Sequence, residues 1–326
     1  MKDIPSTLAG GRHFQILSLD GGGYKGMFSA AVLAAIEEDL DRPIIQHFDL
    51  IVGTSTGGII ALGLGAGLRP SEIVAFYTEW GSRIFPYSRL RTLAQIWRPK
   101  YDPASLREAL GSVLGEKTLA ESAVPLVIPA FDLSANQVYL FKTPHNQRLR
   151  RDGRERMVDV ALATAAAPSY FPALNLREVR LVDGGLWANN PVLVGIAEAI
   201  SLFQVPLEIV QVFSLGTTSD LDHHHTSLDQ GGLWQWARRA VPIIMRAQSV
   251  GAAGLAEHLL SPERLLRHDP AVPPDVLKMD RVDTRTLMGL ARSSSRHIAP
   301  QFETRFGSHL GRRPTLNKNP ALGVAP

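Results

Sequence analysis

The stretch Phe48-Asp49-Leu50-Ile51-Val52-Gly53-Thr54-Ser55-Thr56-Gly57 joins an apolar run to a turn of small residues. The apolar run is typical of a buried strand over 48–52, and a small-residue helix is expected over 56–65. Ser55 lies at the strand-to-helix corner in a G-x-S-x-G pattern, between Gly53 and Gly57. The backbone at such a corner is strained, and small neighbours let the hydroxyl project outward as a nucleophile. Because Gly/Ser/Thr-rich turns are common, the pattern alone is weak.

Two further motifs give Ser55 the companions that acyl chemistry needs. Asp20-Gly21-Gly22-Gly23-Tyr24-Lys25-Gly26 follows a strand expected over 15–19, and Asp183-Gly184-Gly185 follows one expected over 179–182. Consecutive glycines leave backbone N–H groups unshielded, so they can converge on an oxyanion. An aspartate at a tight turn offers a carboxylate base, although a pKa near its ordinary ~3.9 makes a poor base at neutral pH. We therefore expect partial desolvation of Asp183.

These motifs, with Ala167-Pro168-Ser169-Tyr170-Phe171-Pro172 as a fourth, resemble in order the signature blocks of the patatin-like phospholipase family. The resemblance runs from about Phe14 to Thr217. It implies an α/β three-layer sandwich with a mostly parallel central sheet, lipid acyl hydrolysis, and a Ser-Asp dyad in place of a triad. The residues it assigns are the nucleophile Ser55, the base Asp183, the oxyanion hole Gly21, Gly22 and Gly23, and the supporting residues Lys25, Gly53, Gly57, Gly184 and Gly185.

A narrower similarity concerns the block over 19–26, which looks like that of small bacterial patatins. Some of those are anti-phage effectors that cyclic oligonucleotides activate against the cell's own membrane. The similarity implies a phospholipid membrane surface as substrate and a cyclic oligonucleotide as activator. It leaves room for a homo-oligomer and implies no nucleic-acid polymer as partner, no cofactor and no metal. A guanidinium group suits the binding of phosphate. Two interpretations are open for the arginines beyond the resemblance, phosphate binding or solvated surface: Arg238, Arg239, Arg246, Arg264 and Arg267.

The order of expected elements supports the same fold class. Strands alternate with helices up to a strand expected over 207–215, which favours a mostly parallel sheet covered on both faces. We divide the chain into a catalytic domain over 14–217, a helical extension over 218–310 packed on the same domain, and a flexible tail over 311–326. An amphipathic helix is expected over 234–248, either docked on the core or lying on a membrane or over the active site, with a kink at Pro242.

Composition excludes several classes of protein. The 326 residues contain no cysteine, which excludes disulfides, zinc–thiolate sites and cysteine nucleophiles. The formal net charge is only +3. The N-terminus lacks the apolar stretch of a secretory signal, and the uncharged run over 50–68 is interrupted by glycines, so no spanning segment is expected. We expect a cytoplasmic enzyme that acts peripherally on membranes.

Two alternatives remain open from sequence. Gly21, Gly23 and Gly26 also fit the G-x-G-x-x-G spacing of a dinucleotide-binding loop, with Asp39 or Asp41 as the acidic ribose ligand. The protein would then be a nucleotide-binding regulatory protein in which Ser55 is inert.

The second alternative is an α/β-hydrolase esterase with a Ser-Asp-His triad, in which His258 or His297 satisfies the order along the chain. Against it, Ser55 follows only the second expected strand. His223, His224 and His225 are adjacent and would point in different directions, so a solvated loop is favoured over a metal site.

Overall fold

Strands and helices alternate through most of the chain in the computed structural model, which describes residues 13–86, 98–220, 228–233, 236, 240–272, 277–278 and 281–312. The strands are β1 (Phe14–Leu19), β2 (Leu50–Gly53), β3 (Leu126–Asp132), β4 (Gln137–Lys142), β5 (Leu174–Leu176), β6 (Val179–Asp183), β7 (Val210–Leu215), β8 (Ser219–Asp220), β9 (Leu265–His268), β10 (Ala271–Val272), β11 (Leu277–Lys278) and β12 (Arg281–Val282). The α-helices are α1 (Gly26–Glu38), α2 (Thr56–Gly65), α3 (Pro70–Ile84), α4 (Pro103–Leu114), α5 (Met157–Thr164), α6 (Gly185–Ala188), α7 (Val192–Ser201), α8 (Ala240–Leu259) and α9 (Thr284–Phe302).

The central sheet has the strand order β5-β6-β3-β2-β1-β7-β9, and β4 pairs with β3. The pairs of β1 with β2 and β7, of β2 with β3, and of β7 with β9 are parallel. The pairs of β3 with β4 and β6, and of β5 with β6, are antiparallel. The expectation of a mostly parallel sheet is confirmed.

Alternation along the strands sends side chains into two separate cores, one on each face of the sheet. Leu17 and Ile51 join one core with residues of α1 to α5 and α9. Ile16 and Val52, one position away in each strand, join the other core with α7 and α8. Successive strand residues point to opposite faces, so runs buried at every position form the middle layer of a three-layer sandwich.

The junction of β2 and β6 sets the geometry of the site. β4 pairs with β3 along its length. The opposite edge of β3 is therefore shared by β2 and β6. Val52 is opposite Val127, and Asp183 is opposite Ala130. Since β2 runs parallel to β3 and β6 runs antiparallel to it, their last residues point towards each other. The turn after Val52 and the turn after Asp183 therefore meet.

The segment beyond Thr217 is less purely helical than expected. It adds β9 to the central sheet by parallel pairing with β7, and it contains the short strands β8 and β10. The strand expected over 207–215 is also shorter: Leu207–Ile209 forms a 3₁₀ turn, and β7 begins at Val210. This turn follows Pro206, which cannot donate to a sheet.

Several expectations fall wholly or partly outside the described residues. They include the triple histidine at 223–225 and residues 234, 235 and 237–239 of the helix expected over 234–248. Arg238 and Arg239 are among these residues. Pro242 lies in the first turn of α8, where proline is tolerated. Of the tail over 311–326, Gly311 donates to Gln46 O at 2.7 Å and the amide of Arg312 donates to Asp49 Oδ1 at 2.6 Å.

Candidate active site

Ser55 occupies a strained backbone position between β2 and α2. Its φ of 55° and ψ of −122° lie in a region that residues other than glycine rarely adopt. The position is held because the Ser55 amide donates to Thr164 Oγ1 at 3.0 Å, and Thr164 Oγ1 donates to Pro129 O at 2.6 Å. The surrounding structure thus fixes the corner and leaves the Ser55 hydroxyl available for a side-chain partner.

The two glycines that flank Ser55 are required by close backbone packing. A Cβ on Gly53 would strike the carbonyl of Gly57, and a Cβ on Gly57 would strike the carbonyl of Leu19. The turn after Ser55 therefore packs against itself and against the end of β1. The G-x-S-x-G spacing is explained by these contacts.

Asp183 is the side-chain partner of Ser55. Ser55 Oγ donates to Asp183 Oδ2 at 2.7 Å, and the Gly185 amide donates to Asp183 Oδ1 at 2.7 Å. Asp183 is only 1% exposed, and this burial raises its pKa to about 6, although both hydrogen bonds lower it. A carboxylate in this range accepts a proton far better than an exposed aspartate at neutral pH. Gly184 lets the turn approach β3, since a Cβ there would strike Pro129 O.

The glycine loop joins β1 to a 3₁₀ turn at Gly23–Lys25, and α1 follows. The Gly21 amide donates to Asn189 O at 2.9 Å and is committed to that bond. Gly22 has an extended φ of 178°, whereas Gly23 has a left-handed φ of 61°. Because the Gly21 amide already has an acceptor, only the amides of Gly22 and Gly23 remain candidates for the expected oxyanion hole. Lys25 Nζ donates to Thr218 O at 3.0 Å and connects this loop to the segment after β7.

An apolar cavity opens beside Ser55 on the side of Gly23. Its free volume is only about 40 Å³, room for about three water molecules at ~10–15 Å³ each. The surface exposed to it is almost entirely apolar, and the lining residues are Gly23, Ser55, Thr56, Ile59, Phe76, Tyr77, Ile84, Phe85, Leu106, Ala165, Ala167, Tyr170 and Phe171. A hydrocarbon chain suits this lining, but a long chain requires the cavity to widen.

Neither alternative from sequence finds support at the site. His258 and His297 are exposed on α8 and α9, and the carboxylate of Asp183 bonds to Ser55 and Gly185 instead. Asp39 directly follows α1, a helix of 13 residues, so it lies about 20 Å along the axis from the glycine loop at 1.5 Å per residue. A ribose of a nucleotide bound at that loop would not reach it.

Sequence reasoning missed the residues that position the site. Thr164 supports Ser55, and Asn189 bonds to the glycine loop and to Ser249 Oγ at 2.8 Å. Thr54 Oγ1 donates to Ala188 O at 2.6 Å. The only local signal was the polar pair Asn189–Asn190 directly after the Asp183 turn.

The residues 17–196 match the model of the family described as patatin-like phospholipase. The chain belongs to the patatin-like phospholipase family. It is a lipid ester hydrolase of the α/β class, as the sequence motifs predicted. None of the helices in the described part of the chain is long and apolar enough to cross a membrane.

Relatives of this patatin-like phospholipase include two bacterial enzymes named cGAMP-activated phospholipase. The one from Pseudomonas aeruginosa is 37% identical, covering 95% of this chain and 97% of its own. The one from Vibrio cholerae is 31% identical, covering 89% of this chain and 92% of its own. Among solved structures, VipD from Legionella pneumophila shares the fold with a TM-score of 0.52 and 11% identity, over 90% of this chain and 67% of that one.

Proposed function

We propose that this patatin-like phospholipase hydrolyses the acyl esters of membrane phospholipids through a dyad of Ser55 and Asp183. The observation that carries the proposal is the 2.7 Å hydrogen bond from Ser55 Oγ to a buried carboxylate with a raised pKa. The strained backbone at Ser55 supports it, because such strain is typical of a nucleophile elbow. No third residue is needed if the carboxylate accepts the proton directly.

In the first half of the reaction, Ser55 Oγ attacks the ester carbonyl carbon while its proton passes to Asp183 Oδ2. The carbonyl oxygen becomes an oxyanion that accepts hydrogen bonds from the amides of Gly22 and Gly23. The bond from the carbonyl carbon to the alcohol oxygen then breaks, and Asp183 gives its proton to the departing lysolipid alcohol. The acyl group stays on Ser55.

In the second half, water attacks the acyl–Ser55 carbonyl carbon and gives a proton to Asp183. The tetrahedral intermediate collapses to a fatty acid, and the proton returns to Ser55 Oγ. The acyl chain lies in the apolar cavity beside Gly23 and Thr56 throughout. A neutral, hydrocarbon-lined cavity favours a fatty acyl group over a polar acid.

We further propose that a cyclic oligonucleotide activates the enzyme. Two relatives that align over most of the chain carry this property in their names. The narrow acyl cavity supports the idea, because an enzyme whose cavity must widen offers a step for an activator to control. The proposed site of action is a membrane surface, where an uncontrolled phospholipase would damage its own cell.

The experiment is an assay of fatty acid release from phosphatidylglycerol and phosphatidylethanolamine vesicles, with and without cGAMP. We expect release by the wild type to rise with cGAMP, and Ser55→Ala to release nothing under either condition. Ser201→Ala, an exposed serine on α7, is the matched control and should behave as the wild type. Release by Ser55→Ala would refute the nucleophile, whereas release unchanged by cGAMP would refute only the activation.

A further inference from the structure

A second cavity lies on the other side of the glycine loop from the acyl cavity. Its volume is about 160 Å³, and it separates the loop from the start of α8. Gly21 is part of its wall, and a Cβ built on Gly21 would lie 3.3 Å from Ser55 Cβ, so Gly21 stands between the cavity and the nucleophile, which is not itself in the lining. Its other lining residues are Asp20, Gly22, Lys25, Asn189, Thr217, Thr218, Ser219, Pro242, Met245, Arg246, Ser249 and Asp269.

Two residues that line this cavity each carry a buried polar atom without a hydrogen-bond partner among the described residues. Thr218 is 5% exposed, and its Oγ1 has no hydrogen-bond partner among the described residues. Asn189 is 8% exposed, and its Oδ1 likewise has no hydrogen-bond partner among the described residues. Such atoms usually bond to something, because a buried polar group without a partner costs about 1–3 kcal/mol of stability. Two residues of the wall therefore have unused hydrogen-bonding capacity; Thr218 Oγ1 can donate a hydrogen bond, whereas Asn189 Oδ1 can only accept one.

The backbone of Thr218 is also unusual. Its φ is 79°, a left-handed conformation that is a true outlier for a β-branched residue. Strain of this kind persists only where the surrounding structure holds the residue in place, and it is concentrated at active sites and ligand-binding sites. Here it is held by the bond from Lys25 Nζ to Thr218 O.

The charged side chains around the cavity leave room for an anion. Both carboxylates in its wall are paired, since Arg267 donates to both oxygens of Asp20 and lies 3.3 Å from Asp269, to which Arg246 also donates. Arg246 lies 3.1 Å from Asp269 Oδ2, and its side chain is 44% exposed. The half-exposed Arg246 guanidinium has further N–H groups with which it can donate to an anion in the cavity.

We propose that this cavity binds the phosphoryl group of a phosphate ester, with Thr218 Oγ1 and the Arg246 guanidinium as donors. The inference rests on the proposed function, because the cavity on the Gly21 side of the loop suits the headgroup of a phospholipid whose acyl ester is at Ser55. In that arrangement the glycine loop divides the substrate, with the acyl chain on the Gly23 side and the phosphate on the Gly21 side. A soluble phosphate ester that regulates the enzyme would use the same donors.

The test compares Thr218→Val and Arg246→Gln with the wild type. Valine keeps the branched shape of threonine and removes only the hydroxyl. Arg292→Gln, an exposed arginine on α9, is the control for the loss of one positive charge. The substrates are dioctanoyl phosphatidylglycerol and dioctanoylglycerol in mixed micelles, and the soluble probe is sn-glycerol 3-phosphate.

If the phosphoryl group that binds is that of the lipid headgroup, each variant raises KM for phosphatidylglycerol by about tenfold or more. This is the effect of losing a hydrogen bond to a charged group. KM for dioctanoylglycerol changes less, and glycerol 3-phosphate inhibits the wild type. If the source is a soluble regulator, glycerol 3-phosphate accelerates dioctanoylglycerol hydrolysis by the wild type and not by the variants. Variants that match Arg292→Gln with both lipids and with the probe overturn the proposal.

A binding measurement separates this inference from the proposed function. Glycerol 3-phosphate should raise the Tm of Ser55→Ala, which is otherwise intact, and should not raise that of Ser55→Ala/Arg246→Gln. This result is expected even if the enzyme cleaves neither lipid. An unchanged Tm in Ser55→Ala at millimolar probe would refute the phosphoryl site.

Discussion

Arg267 donates to both carboxylate oxygens of Asp20, from Nη1 to Oδ1 at 2.8 Å and from Nη2 to Oδ2 at 2.6 Å. Asp20 directly precedes the glycine loop, whereas Arg267 lies on β9, beyond the residues 17–196 that match the family model. Both side chains are largely buried, and burial raises the pKa of Asp20 to about 6 even though Arg267 lowers it. The C-terminal segment thus helps to hold the loop that supplies the proposed oxyanion hole.

Removing Arg267 should destabilise the protein strongly. Arg267→Met leaves Asp20 buried without its counter-ion, which costs on the order of 3–5 kcal/mol. Asp20→Asn/Arg267→Met removes both charges and should recover most of that loss. Chemical unfolding at pH 7.5 measures the free energies. A double variant as unstable as Arg267→Met would show that packing of the arginine, not its charge, is what matters.

The activity should depend on pH through Asp183. Asp183 must be ionised to accept the proton of Ser55, and burial raises its pKa to about 6. For a neutral short-chain ester, kcat/KM should therefore fall by about tenfold per pH unit below pH 6 and level off above pH 7. Asp20→Asn serves as control, since Asp20 also has a pKa of about 6. A midpoint that moves in Asp20→Asn, or in His258→Ala, would assign the titration elsewhere.

The same burial makes Asp183 a cost to stability. Its carboxyl binds a proton more tightly in the folded protein, where its pKa is about 6, than at the ordinary value of 3.8. Stability from this group is therefore complete below pH 3.8 and declines as the pH rises to about 6. Asp183→Asn should be inactive but more stable above pH 6, by about 3 kcal/mol for a shift of this size.

The gain in Asp183→Asn should vanish near pH 4, where the aspartate of the wild type is protonated as well. Asp229→Asn, at an exposed aspartate, should show no gain at either pH. Denaturation curves of the three proteins at pH 4 and pH 8 give the six free energies of unfolding. Equal stability of Asp183→Asn and the wild type at pH 8 would mean that the carboxylate is better solvated than its 1% exposure indicates.

Gly22 should be intolerant of substitution. A Cβ at this position would strike the side chain of Thr217, so Gly22→Ala displaces the amide proposed to bind the oxyanion. Loss of one such donor costs on the order of 10²-fold in kcat, and KM should change less. Gly111→Ala is the control, because a Cβ at Gly111 on α4 meets open space, and its kcat should equal that of the wild type. Gly67→Ala would be a poor control, because Gly67 has a positive φ. A normal kcat in a folded Gly22→Ala protein would place the oxyanion donors elsewhere.

The sequence predicted the fold and the main elements of the site because their signals are local. The apolar runs before Asp20, Ser55 and Asp183 mark the strands, and the small residues after them mark turns at strand ends. The role of Thr164 has no such signal, since its partners Ser55 and Pro129 are brought to it only by the fold. The same holds for the Gly21 amide, whose acceptor is the carbonyl of Asn189.

The contribution of the C-terminal segment was also beyond sequence reasoning. β9 is only Leu265–His268, and two of its four residues are basic, so its pattern does not differ from that of a surface loop. It becomes a strand because β7 offers a free parallel edge. Pairing with that edge places Arg267 at Asp20.

The dyad is tested most directly by a fluorophosphonate probe, which reacts with activated serines, followed by peptide mass spectrometry. The account predicts phosphonylation of the peptide that contains Ser55 in the wild type, in His258→Ala and in His297→Ala. It predicts labelling slowed by at least 10²-fold in Asp183→Ala, because the serine then lacks its base. Labelling of another residue, or of Ser55 at the wild-type rate in Asp183→Ala, would contradict it.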